Sequence, residues 1–204
     1  MKFLFLSVPL ELPMVKREHF NRWYSAEAYY LALSLVDIPS SILNNIVFVS
    51  ITYFMTNQPI ELLRIALFFT ISILVSFTSQ GLGLLSGSLA NIQLTLIIAA
   101  CGIFFFTLFS GFFVLMKDTH HLWHWLFYCS FLKHGLDGGF LAIFGFNRSK
   151  LECNEIYCHY ESPTKFLDTL GIQASYVNAV AVIVFSLFLF RISAFFVIKF
   201  RLKH

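Results

Sequence analysis

The sequence predicts an all-α polytopic membrane protein with about four complete spans and a stub of a fifth, and three observations carry that expectation. Of 204 residues, 58% are hydrophobic and 12% charged, where soluble domains average about 45–50% apolar and about 25% charged. Three stretches, 38–60, 65–116 and 169–190, contain no Asp, Glu, Lys, Arg or His. A helix crosses about 30 Å of hydrocarbon with about 20 apolar residues, so each short gap holds one crossing and the long gap holds two. The composition excludes a water-soluble enzyme, a disordered tail and a nucleic-acid-binding domain. The net charge of +3, from 14 basic and 11 acidic residues, is too small and too dispersed to recruit a polyanion.

Along the chain, residues 1–10 are apolar but too short to span, and read as the end of a truncated transmembrane helix. Pro9 and Pro13 bracket a turn. Residues 11–26 then place Lys16, Arg17, Glu18, His19 and Arg22 among Phe20, Trp23 and Tyr24, the pattern of an amphipathic helix lying at a membrane interface. Residues 27–116 hold three spans: about Tyr29 to Met55, ending on the turn signal Asn57-Gln58-Pro59; about Leu63 to Leu85; and, after a break at Ser86–Asn91, a third to about Met116. The Phe-rich core of that third span, Ile103 to Phe113, is preceded by Gly102 and interrupted by Thr107, Ser110 and Gly111, small residues that let helices approach closely. Residues 117–176 are a long polar segment with short helices dipping back into the outer leaflet, and residues 177–204 are the last span with its basic tail.

Orientation follows from basic residues gathering on the cytosolic side. Lys16, Arg17 and Arg22 at one end and Lys199, Arg201 and Lys203 at the other lie on the same side because four is even, which puts both ends in the cytosol and 117–176 outside. That segment carries five basic and six acidic residues, as a non-cytosolic loop should. It also holds a glycosylation sequon, Asn147-Arg148-Ser149, and two closely spaced cysteines, Cys153 and Cys158, in a compartment where disulfides persist. Lys133 and Asp137 are four apart and able to pair; at membrane depth such a pair must face protein or water.

The order of features resembles the transmembrane domain of the G (White) subfamily of ATP-binding cassette half-transporters, nearer its sterol and phospholipid exporters than its multidrug members. The resemblance is carried by Arg17-Glu18-His19-Phe20-Asn21-Arg22-Trp23-Tyr24-Ser25, by Ala28-Tyr29-Tyr30-Leu31-Ala32 and Asp37-Ile38-Pro39, by Gln80-Gly81-Leu82-Gly83-Leu84-Leu85, and by Phe109-Ser110-Gly111-Phe112-Phe113-Val114. It covers nearly the whole chain. It implies part of a type-2 exporter domain of six helices, working as a homo- or heterodimer with ATPase domains that bind ATP and Mg2+, and moving lipid or sterol. This chain carries no G-x-x-x-x-G-K-[ST] phosphate loop, so it is no enzyme by itself and holds no cofactor of its own. By the same resemblance it starts inside the family's second helix, without the ATPase domain, the connecting helix and the first span; a fragment, a partial gene model and a truncated isoform all fit.

Position by position, the resemblance implies that Val15 to Trp23 is the coupling helix, with Glu18 contacting the ATPase domain and Arg17 flanking it. Phe112 and Phe113 match a bulky apolar pair that plugs the top of the substrate cavity, and Phe104 and Thr107, below them on the same helix, match positions lining that cavity. Lys133 and Asp137 stand where relatives carry Arg and Glu, Cys153 and Cys158 match a loop disulfide, and Asn147 is the glycosylation site. Two further features stand apart. Asp37, inside a span, is a functional candidate by its cost, against a simpler reading in which it snorkels to the interface beside Pro39. His120, His121 and His124 have the spacing of a metal face, but one outward cluster is too little for a membrane oxygenase and interfacial histidines are the better account; no metal is expected. A truncated, non-transporting interaction protein is the rival from outside the transport class.

Overall fold

The computed structural model describes residues 4–89, 91–151, 160, 162–172 and 174–203. The described residues form eight α-helices and no strand: α1 Leu4–Phe20, α2 Ala26–Met55, α3 Leu62–Leu89, α4 Ile92–Leu108, α5 His124–Cys129, α6 Phe131–Phe144, α7 Pro163–Leu170 and α8 Tyr176–Lys203. Among them α2, α3 and α8 are long and apolar enough to cross a membrane. α4, with 17 residues, reaches about 25 Å at 1.5 Å per residue, the short end of what spans.

Four helix limits differ from the sequence reading, each for a local reason. Pro9 and Pro13 lie inside α1 instead of bracketing a turn. A proline removes one ladder bond and crowds the previous turn, but Val8, Leu12 and Val15 recur four and three apart and pack on the rest of the bundle, which keeps the helix continuous. The interfacial segment stops being helical at Phe20, where Arg22 takes φ 60°. Ser86, Gly87 and Ser88 stay helical, the serine hydroxyls bonding back to Gly83 O and Leu85 O. α4 ends at Leu108 rather than Met116.

The chain forms two compact units: residues Met1–Asn45, Ser76–Phe105 and Val184–His204 make the first, and Ile46–Val75 with Phe106–Ile183 make the second. In the first unit, Val8 of α1 packs with Leu84 of α3 and Ala194 of α8, and Val15 packs with Ala26, Ile198 and Leu202. Gly81 lets α3 approach α8, since a Cβ there would sit 3.2 Å from Phe190 Cβ. The Tyr30 hydroxyl donates to Arg191 O at 2.9 Å.

In the second unit α6 is the hub. Gly135 and Gly138 face Val75 and Ile71 of α3 so closely that an added Cβ would come within 2.6 and 2.7 Å of those side chains. The buried Arg64 donates to Ile143 O, Gly145 O and Phe146 O at the C-terminal end of α6, where unpaired carbonyls carry the negative end of the helix dipole. α7 is capped at both ends: the Ser162 hydroxyl accepts from Lys165 N, Gly171 takes φ 75°, and Lys117 Nζ donates to the carbonyls of Asp168 and Thr169.

Candidate functional site

In the first unit, the segment expected to couple to an ATPase domain is the end of α1 and the turn after it. His19 Nδ1 meets Tyr24 O at 3.1 Å, Trp23 N donates to Glu18 O, and the Tyr24 hydroxyl donates to Glu18 Oε2 at 2.5 Å. Burial first, then the Glu18 carboxylate, push the Tyr24 hydroxyl up to about 12. Glu18 is therefore engaged inside the chain. The charges left at the rim are basic: Lys16, Arg17 and Arg22, all exposed, border a groove of about 1210 Å³. Sequence reasoning did not identify Tyr24 as the partner of Glu18, because no spacing rule joins a helix end to a residue six positions on.

Deeper in the same unit lies a polar network. Lys199 pairs with Glu27 at 3.2 Å, and Arg191, eight residues earlier on α8, sits about 12 Å further in by helical rise. Arg191 Nη1 donates to Ser34 Oγ at 3.0 Å and Nη2 reaches Gln80 Oε1 at 3.5 Å. Gln80 Nε2 donates to Ser41 Oγ, Ser41 Oγ to Asp37 O, and Asn45 Nδ2 to Ser41 O. Asp37 joins this network through its backbone, while its Oδ2 is buried with no hydrogen-bond partner. Arg191 was legible in principle: it is the first charge after the 169–190 gap. Phe104, on the part of α4 in this unit, is 68% exposed.

In the second unit, the end of α4 carries the other candidates. Ser110 N and Oγ both bond to Thr107 O, Phe112 N donates to Ser110 Oγ, and Gly111 takes φ 88°. A serine that bonds the preceding turn, followed by a glycine in left-handed conformation, ends a helix. Phe112 and Phe113 consequently leave the helix instead of continuing it. They are 68% and 67% exposed and packed edge to face on each other, centroids 5.2 Å apart at 87°. Phe106 and Phe109, behind them in the chain, pack on Phe131 of α6 and Phe127 of α5.

Lys133 and Asp137 form an ion pair of 2.8 Å, both side chains largely buried, with Lys133 Nζ 5.5 Å from the centre of the Tyr128 ring. Beside it the buried His134 turns Nε2 to Tyr128 O at 3.2 Å, and burial pulls its pKa down from the usual value. Asn147 is exposed with φ 52°, next to Arg148, which donates to Gln58 Oε1 and Ile143 O. Cys153 and Cys158 lie outside the described residues. His121 and His124 bring their Nδ1 atoms to 3.0 Å, and His124 Nε2 faces Thr119 O. Among the described residues no three His, Cys, Asp or Glu side chains gather as metal ligands.

Residues 4–144 match the family model described as ABC-2 type transporter. ABC transporter G family member 1 of Dictyostelium discoideum is 26% identical over 192 residues, covering 89% of this chain and 24% of that protein. ABC transporter G family member 6 of Arabidopsis thaliana is 32% identical over 131 residues, 63% of this chain and 18% of that one. ABC transporter ATP-binding protein/permease wht-1 of Caenorhabditis elegans is 26% identical over 137 residues, 65% and 20% respectively. The chain spans about a quarter or less of the length of these relatives.

Proposed function

The chain belongs to the ABC-2 type transporter family, as the transmembrane domain of a G-subfamily half-transporter, and on that premise we propose that it is the membrane part of an ATP-driven exporter of lipid, sterol being the favoured substrate class. It is an integral membrane protein. In this reading it works as a dimer, with itself or another half-transporter, both ends facing the cytosol in the plasma membrane or an endomembrane. ATP and Mg2+ are bound by nucleotide-binding domains of the assembly, since this chain has no phosphate loop.

The observation that carries the reading is the Phe112–Phe113 pair: two rings held edge to face and exposed, on a turn that Ser110 and Gly111 build at the end of α4. An apolar gate suits an apolar cargo, because each Å² of ring surface that a sterol covers is worth about 25 cal/mol. Phe104 and Thr107 line the path, and the Lys133–Asp137 pair fixes the outer cap. At the other end, Lys16, Arg17 and Arg22 receive the closing stroke of the ATPase domain, and the Glu18–Tyr24 bond makes the end of α1 rigid enough to transmit it. Glycosylation of Asn147 and a Cys153–Cys158 disulfide belong to the same proposal.

The test is Phe112→Ala in the full-length half-transporter. The expected outcome is altered ATP-dependent lipid efflux and altered basal ATPase activity at unchanged surface expression; unchanged transport removes the gate. Topology is checked separately: a tag near Asn147 should label on intact cells, and one after His204 only after permeabilisation.

A further inference from the structure

We propose that the basic end of α8 is a binding site for an anionic phospholipid, its phosphate held between Lys199 and Arg201 and an acyl chain laid along the phenylalanine stripe of the helix. The site belongs to the first unit. A groove of about 660 Å³ is lined by Leu89, Phe196, Val197, Lys199, Phe200 and Arg201. On a helix, residues i, i+1, i+4 and i+5 share a face, so Phe196, Val197, Phe200 and Arg201 form its floor and one edge, and Lys199, three after Phe196, forms the other edge. The stripe continues away from the basic end through exposed Ile192, Leu189 and Phe185. From Phe200 to Phe185 is about 22 Å at 1.5 Å per residue, more than the depth of one leaflet, about 15 Å.

Both cations are placed for a head group. Arg201 Nη1 donates to Ser88 O at 2.9 Å, which holds the guanidinium at the end of α3. Lys199 pairs with Glu27, but both side chains are more than half exposed, and such a pair is weak and readily exchanged for a phosphate. Charge complementarity also decides the occupant. A second copy laying its own α8 on this stripe must run parallel, because both copies share one topology, and two-fold packing then sets Lys199 and Arg201 against themselves. An anionic lipid neutralises the same pair, as basic pockets at the cytoplasmic face do elsewhere. That the leaflet is the cytosolic one rests on the orientation proposed above; the binding itself does not.

The experiment uses the purified chain in nanodiscs of equimolar phosphatidylserine and phosphatidylcholine, with retained lipid measured by native mass spectrometry after partial delipidation. Both leaflets carry both lipids, so the outcome is independent of sidedness. The expected result is retention of phosphatidylserine over phosphatidylcholine, about fivefold per basic side chain. Lys199→Gln should lose about that factor, Lys199→Arg should keep it, and Lys165→Gln, on α7, should leave it unchanged. Monodisperse elution of the Lys199 variants confirms that they fold, and Arg201 is left intact because it caps α3. Equal retention of the two lipids by the native chain, or full preference in Lys199→Gln, overturns the proposal. So does efficient disulfide cross-linking between copies of Phe196→Cys, which would make the stripe a seam between subunits.

Discussion

Replacing Arg64 by Leu isolates what the buried guanidinium contributes. Arg64 is 4% exposed in the first turn of α3, where a cation gains nothing from its own helix dipole. Its bonds go elsewhere: Nε to Glu61 Oε2 at 2.7 Å, Nη1 to Ile143 O at 3.1 Å and to Gly145 O at 2.9 Å, and Nη2 to Phe146 O at 3.3 Å. The Glu61 carboxylate is 58% exposed, so that ion pair is worth at most about 1 kcal/mol. Ile143 O keeps a second donor in Arg148 Nη1. Gly145 O and Phe146 O lose theirs, and an unmade bond to a buried group costs about 1–3 kcal/mol; Phe146 is exposed and partly wetted, so the sum is about 3 kcal/mol. For a chain of this size about 1 kcal/mol moves Tm by about 2–4 °C, so Arg64→Leu should lower the apparent Tm of the purified protein by about 6–12 °C. Glu61→Gln should lower it by no more than about 4 °C, the shift that a 1 kcal/mol pair allows. If Glu61→Gln is as damaging as Arg64→Leu, the ion pair and not the carbonyl cap holds α3 to α6, and the reasoning is refuted.

Further expectations follow from the packing and titration of neighbouring groups. Gly135→Ala puts a methyl 2.6 Å from Val75 Cγ2; a valine in a helix has essentially one rotamer, so overpacking should cost about 1–3 kcal/mol, and Val75→Ala in the same chain should restore part of the lost thermal stability. His134 has its folded pKa depressed chiefly by burial, so its contribution is full above about 6.5 and is lost as pH falls through the lower folded value; stability measured from pH 7 downward should decline, and His134→Gln should flatten the decline. Tyr24 is raised to about 12, so the stability it confers is present below about 10 and fades as pH rises toward 12; a tyrosinate absorbance titration of native protein against Tyr24→Phe should show one late-titrating hydroxyl disappear.

The sequence made the spans legible because lipid exposure is a composition signal. Lipid solvates the exposed Leu94, Leu96 and Ile97 of α4 as well as protein would, so no periodicity is needed to hold them. For the same reason the signal counts crossings without locating their ends. Inside 65–116 no residue is acidic, basic or a histidine, and what stops α4 at Leu108 is one serine hydroxyl on Thr107 O and one glycine at φ 88°, a hydrogen bond and a dihedral that hydropathy does not register. The turn expected at Pro9 and Pro13 failed from the opposite side: the local rule was right about the lost bond, and packing of Val8 and Val15 outweighed it. The Lys133–Asp137 pair could be read from a spacing of four because both partners share a helix. Glu18 with Tyr24, Arg64 with the end of α6, and Arg191 with Ser34 could not, because each joins residues whose proximity only the folded chain creates. The gate assignment stands between these cases. The residues Phe112 and Phe113 were found by resemblance, while the property that suits them to the role, exposure on a turn rather than burial in a helix, comes from the structure alone.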